Sequence, residues 1–114
     1  MNRQTKEIIF KKYNGHCAYC GIEITMKTLQ VDHIYPKVYG GSDYMENLNP
    51  SCKHCNNYKC FYGIKALRGA LNTMFNEKLE YLFKSKTKMQ VAINFGIVKL
   101  EKWDGLFYFE KLPQ

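Results

Sequence analysis

Two groups of residues in this sequence combine type and spacing in a way that could do chemistry. The first is Asp32-His33, set inside "QVDHIYPKVYGG" (residues 30–41), where a run of β-formers gives way to a proline and a double glycine. Neighbouring residues on a strand point to opposite faces, so a carboxylate and an imidazole in succession can both serve one substrate only if the strand stops there. The second group is four cysteines in two pairs, Cys17-x2-Cys20 ("CAYC") and Cys52-x2-Cys55 ("CKHC"), with 31 residues between the pairs. Each C-x2-C is a tight knuckle, and two knuckles supply the four thiolates that Zn2+ takes in tetrahedral geometry, with no position left for water. The spacing therefore predicts a closed, structural zinc site on Cys17, Cys20, Cys52 and Cys55. Gly21, directly after the first pair, suits a turn that needs positive φ.

Composition bounds the partners. The chain has 114 residues, 17 Lys+Arg against 10 Asp+Glu and a formal charge of +7, which draws it towards polyanions. Charge alone does not separate nucleic acid from an acidic membrane, but no apolar run approaches the ~20 residues that cross a bilayer. The opening "MNRQTKEIIFKKY" lacks the apolar core and cleavage site of a signal peptide. The expectation is a cytoplasmic protein with no membrane association, where thiols stay reduced and serve as metal ligands. The fifth cysteine, Cys60, has no partner in the pattern and reads as a small buried residue.

The elements that must position these groups follow from periodicity and turn signals. "TKEIIFKKY" reads as an N-terminal helix within residues 4–14, ended by Asn14-Gly15. "LQVDH" reads as a strand, "PKVYGGSDYME" as a loop, and "NLNPS" as a return segment before a helix that opens near Ser51 and carries Asn56 and Lys59 on one face. Further on, "IKALRGALNTMFNEKLEYLF" is helical but weakened by Gly69, and "KTKMQVAINFG" is a helix with Gly96 as its C-cap. In "IVKLEKWDGLFYFEKL" two β-rich runs flank Asp104-Gly105, a hairpin turn signal. With no repeat or linker, the economical reading is one α+β domain over residues 1–114: a core at 17–60, an N-terminal helix, and a helical extension with a closing β-hairpin at 61–114.

Taken in order, Cys17-x2-Cys20, "VDHIYPKVYGG", "ENLNP" and "CKHCNNYK" resemble the HNH endonucleases of the His-Me (ββα-metal) finger superfamily. The likeness is to the zinc-stapled four-cysteine branch, of the small stand-alone phage or bacterial type, and it covers Cys17 to Lys59. It implies a two-stranded hairpin followed by a helix, with the first strand ending at the Asp-His pair. It implies His33 as the general base that takes a proton from the attacking water, a task suited to imidazole near neutral pH. It implies Asp32 as a ligand of a catalytic divalent cation, Asn47 as the residue that pins the loop, and Asn56 as the last letter of the motif and second ligand. Histidine is commonest at that last position, so this chain is an H-N-N variant. An amide oxygen favours a hard ion, Mg2+ or Mn2+, over softer metals.

Lys59, Lys37 and Lys53 are candidates for DNA phosphate contacts. His54 and His16 read as solvated residues beside the knuckles, and Tyr35, Tyr39 and Tyr44 as core or partly buried rings. Two other readings stay open: a nucleic-acid-binding zinc module without catalysis, and an HNH-like protein recruited as an inhibitor or accessory factor. Sequence preference, nicking against double-strand cleavage, and monomer against homodimer are not legible from the residues.

Overall fold

In the computed structural model, which describes residues 1–113, the first helix, α1 (Arg3–Lys11), begins where the Asn2 side chain accepts the Thr5 amide at 2.8 Å. It ends at Asn14 and Gly15, whose φ values of +55° and +77° no helix can continue. The N-terminal helix is thus present, slightly earlier than the sequence suggests. The Lys12 ammonium, just after it, donates to the Leu48 carbonyl at 2.8 Å and so fastens the helix to the later strand. The chain divides into two compact units, Met1–Lys65 with the C-terminal segment from Leu106, and Ala66–Gly105.

In the first unit, β1 (Gln30–His33) pairs antiparallel with β2 (Leu48–Ser51), and α2 (Lys53–Lys59) follows at once, the ββα order expected. The register sets Val31 opposite Pro50, Asp32 opposite Asn49 and His33 opposite Leu48. Pro50 has no amide to give, which an edge strand tolerates. Its carbonyl accepts the Ala18 amide at 2.9 Å, so the first cysteine knuckle lies against β2. Gly21 has φ +80°, and a Cβ there would sit 2.5 Å from the Tyr108 ring, so glycine is required twice over. Ile9, Cys17, Ala18, Tyr19, Ile24, Leu48 and Phe107 form the buried apolar core of this unit.

The closing segment departs from expectation. No β-hairpin forms around Asp104-Gly105; among the described residues β1 and β2 are the only strands, and the chain ends in a short helix, α5 (Tyr108–Lys111). Gly105 does take the turn conformation, with φ +82°. The alternation in "FYF" is used differently. Phe107 is buried edge-on against Tyr19 with ring centres 5.3 Å apart, and the Tyr108 and Phe109 amides donate to the Tyr19 and Ala18 carbonyls at 3.0 and 2.9 Å. Those donors are satisfied by the knuckle, so no partner strand is needed.

The second unit contains the rest of the helix α3 (Ile64–Asn72), a wide π-type turn at Thr73–Glu77, a 3-10 turn at Leu79–Leu82, and α4 (Thr87–Asn94). Gly96 follows α4 with φ +75°, the left-handed stop its sequence implied. Asn76 joins this unit's ends, its side chain donating to the Trp103 carbonyl at 3.1 Å and accepting the Trp103 amide at 2.8 Å. Among the described residues no helix is long and apolar enough to cross a membrane.

Lys59 is the least expected member of the core. It is 1% exposed, and its Nζ lies 2.9 Å from the His33 carbonyl and 3.1 Å from Asp32 Oδ1. Removing one member of a buried ion pair strands the other charge, a loss of about 3–5 kcal/mol. Lys59→Met should therefore cost about that much stability in chemical denaturation. A loss below about 1 kcal/mol, the range of exposed ion pairs, would mean that the ammonium reaches water instead.

Candidate active site

The four cysteines meet. Their Sγ atoms all lie within 4.8 Å of one another, and Cys20 and Cys52 are 3.8 Å apart. A tetrahedron of sulfurs about 2.3 Å from Zn2+ has edges of about 3.8 Å, so the donor set fits a structural metal such as zinc in number, chemistry and size. Cys52 also caps α2, its sulfur accepting the Cys55 amide at 3.4 Å, so the second knuckle and the helix start are one structure. Crowding shows in the thiols. A hydrogen bond with Cys55 draws Cys17 down to about 4, whereas that contact and burial push Cys55 up, and burial pushes Cys20 up to about 11. The form of cysteine that a cation takes is the thiolate, and these four sulfurs are close enough to share one ion.

Asp32 and His33 end β1, and the strand's alternation sends them apart. Asp32 is 5% exposed; one oxygen accepts the Tyr19 hydroxyl, and the other is paired with Lys59. Burial raises the Asp32 carboxyl, against the lowering effects of Tyr19 and Lys59. Tyr19 is raised in turn by burial and by the Asp32 charge, which keeps its hydroxyl a donor. The expectation that Asp32 and His33 share one face is not met. For a hard cation, the Asp32 carboxylate and the half-buried Asn56 amide are suitable in chemistry. Each Asp32 oxygen already has one proton donor, Tyr19 on Oδ2 and Lys59 on Oδ1, and each keeps a further lone pair.

His33 faces the loop. Its side chain is 21% exposed and its Nε2 is 2.8 Å from Asp43 Oδ1. The Asp43 carboxyl is held below its usual range, first by that hydrogen bond and then by Lys37, whose Nζ is 3.6 Å from Oδ2. An ionised carboxylate can only accept, so Nε2 is the donor, and whenever the ring is neutral the lone pair is on Nδ1. The loop returns Asp43 to this position by identifiable means. Asn47 Oδ1 accepts the Tyr35 amide at 2.8 Å, while its Nδ2 donates to the Ser42 carbonyl at 2.8 Å and the Tyr35 carbonyl at 3.2 Å. Gly41 packs so tightly that a Cβ would lie 1.8 Å from the Tyr35 oxygen.

Several sequence readings need correction. Lys59 cannot hold a phosphate in this arrangement, because its ammonium is buried on Asp32 and His33; helical spacing placed it beside Asn56 but could not say that the face turns inward. Cys60 is exposed, with φ +46°, at the point where α2 stops. Tyr35, Tyr39 and Tyr44 are exposed, since the loop that carries them packs through its backbone and Asn47. His16 is half-buried, stacked 5.4 Å from the Tyr108 ring. Lys37, Lys53 and His54 are exposed. Two residues were not foreseen, Tyr19 and Asp43. Asp43 had a signal: a base usually has an orienting partner, and this carboxylate sits in a turn-rich loop ten residues after His33. Tyr19 had none beyond its place inside the knuckle.

Comparison with known proteins gives matches of three kinds. A family model described as HNH endonuclease matches residues 17–62. A CRISPR-associated endonuclease Cas9 of Corynebacterium diphtheriae is 40% identical over 50 residues, 43% of this chain. The chain spans only 5% of that protein's length. Among solved structures, the Type II-C Cas9 enzyme from Actinomyces naeslundii aligns with 59% of this chain and 9% of its own at a TM-score of 0.47 and 26% identity. The segment matched by the HNH endonuclease model, residues 17–62, contains the four cysteines, the Asp32-His33 pair, Asn47 and Asn56.

Proposed function

We propose that this chain is a metal-dependent endonuclease that hydrolyses DNA phosphodiester bonds with His33 as its general base. The observation that supports the reading best is the partly exposed His33 imidazole at the end of β1, with Nε2 engaged by the Asp43 carboxylate. The match of residues 17–62 to an HNH endonuclease model favours the same reaction class, and a charge of +7 favours a polyanionic substrate.

Each group of the chain then has a task. His33 Nδ1 accepts a proton from the attacking water, and the Asn47 hydrogen bonds keep the loop beside the ring fixed while it does so. Asp32 and Asn56 offer the carboxylate and amide oxygens that Mg2+ or Mn2+ takes, and a cation bound there would supply charge stabilisation at the phosphate. Lys37 and Lys53, being exposed, can meet flanking phosphates, whereas Lys59 orders the strand end from below. The four-cysteine site has no open position, so its zinc would hold the knuckles together and leave the chemistry elsewhere.

Incubation of the purified protein with supercoiled plasmid, in Mg2+, in Mn2+ and in EDTA, tests the reading directly. Cleavage in the metals and none in EDTA is expected; tight binding with no cleavage in any metal would leave a nucleic-acid-binding zinc module as the better description. His33→Ala should lower the cleavage rate by about 10²-fold or more while DNA affinity stays close to wild type. Asn56→Ala should raise the Mg2+ concentration needed for half-maximal cleavage, and an unchanged requirement would remove Asn56 from the ligand set. Metal analysis should find about one tightly held zinc per chain, and Cys55→Ser should lose it together with a large part of the melting temperature. A well-folded protein free of zinc would contradict the structural assignment.

A further inference from the structure

Resting on the reading of His33 as the base, we infer that Asp43 is the residue that positions it, fixing the imidazole in the tautomer whose Nδ1 is free to accept a proton. Nothing in the Asp-His and two-asparagine pattern points to this carboxylate, which lies in the loop ten residues away. The geometry is specific. One oxygen, Oδ1, is 2.8 Å from His33 Nε2, and the other, Oδ2, is 3.6 Å from the Lys37 ammonium. With both oxygens engaged, the carboxylate cannot swing from the ring without giving up its second partner.

The loop is built to deliver this contact. Asn47 ties Tyr35 and Ser42 together across the loop, and Gly41 admits the Tyr35 carbonyl where any side chain would collide. Ser42 and Asp43 are thereby brought back to the strand end from which the loop left. A neutral imidazole in water exchanges between two tautomers, only one of which presents a lone pair at Nδ1. An acceptor at Nε2 selects that one and fixes the plane of the ring. It also stabilises the imidazolium formed when the proton arrives, the service that the third member of a catalytic triad gives its histidine. An exposed ion pair contributes little to folding, so this one should be felt in the rate and not in the melting temperature.

The test is a double-mutant cycle on plasmid cleavage, with wild type, Asp43→Ala, His33→Ala and the double variant, together with Asp43→Asn. Asp43→Ala should lower kcat about 10- to 100-fold with KM and melting temperature near wild type. Asp43→Asn should recover part of the rate, because its amide oxygen can accept from Nε2 without the charge. In the His33→Ala background the loss of Asp43 should change nothing further, since its effect passes through the ring. Nitrogen-15 spectra of labelled histidine give a readout that needs no turnover: His33 should carry its proton on Nε2 in the wild type and show a tautomer mixture in Asp43→Ala. Full kcat in Asp43→Ala, an equal loss in both backgrounds, or an unchanged tautomer would each overturn the inference. If His33→Ala itself retains full activity, the reading of His33 as the base fails instead, and the tautomer spectra still decide whether Asp43 fixes the ring.

Discussion

A buried ammonium must find acceptors, and that constraint at Lys59 determines the layout of the site. Lys59 is the last residue of α2 and almost wholly enclosed, so its charge has to be met by protein oxygens. The acceptors it meets are the Asp32 carboxylate and the His33 carbonyl, both at the end of β1. Once Asp32 is drawn inward to this charge, the pleat of the strand sends His33 the other way. Helix, strand end and imidazole orientation are therefore set by one interaction.

Around that pair the unit is assembled from short segments that would not persist alone. A two-stranded sheet of four-residue strands is marginal, and α2 has only seven residues. Their order comes from outside. The Cys17–Cys20 knuckle donates to β2 through Ala18, the Cys52–Cys55 knuckle begins α2, and the sulfurs of both meet at one point. The returning C-terminal segment buries Phe107 against Tyr19, the same tyrosine whose hydroxyl serves Asp32. A metal held by the four cysteines would add its binding energy to folding, which would let so small a core suffice.

What the sequence made legible has a common physical character. The cysteine spacing, the end of β1 at His33, the return strand and the glycine stops at Gly15 and Gly96 are local, since each depends on a few adjacent residues and on backbone geometry that they alone dictate. What it concealed is tertiary. Lys59 reads as a surface cation because lysine is rarely enclosed, and only the presence of Asp32 across the unit reverses that rule. The alternation at "FYF" reads as a strand, but the amides of Tyr108 and Phe109 find carbonyls in the knuckle, so no second strand is required. The tyrosines of the loop read as core, yet the loop is held through Asn47 and backbone contacts and leaves its rings outside. In each case a contact distant in sequence outweighed a local preference.

The strand end also separates two charge pairs that differ in purpose. Asp32 with Lys59 is enclosed, where electrostatic interactions are strong and partners cannot be exchanged without strain; His33 with Asp43 is partly solvated, where a proton can come and go. Successive residues give this division at no extra length, because a strand alternates its faces with a period of two. The same economy makes the register strict. A slip of one residue between β1 and β2 would turn His33 into the polar interior and bring Asp32 out to the loop, so neither charge would meet its partner. The proline at position 50, buried and unable to donate, and Leu48 at its wholly enclosed site both hold β2 against that slip. Leu48 faces His33 across the pair, so the burial that fixes the register also fixes where the imidazole stands.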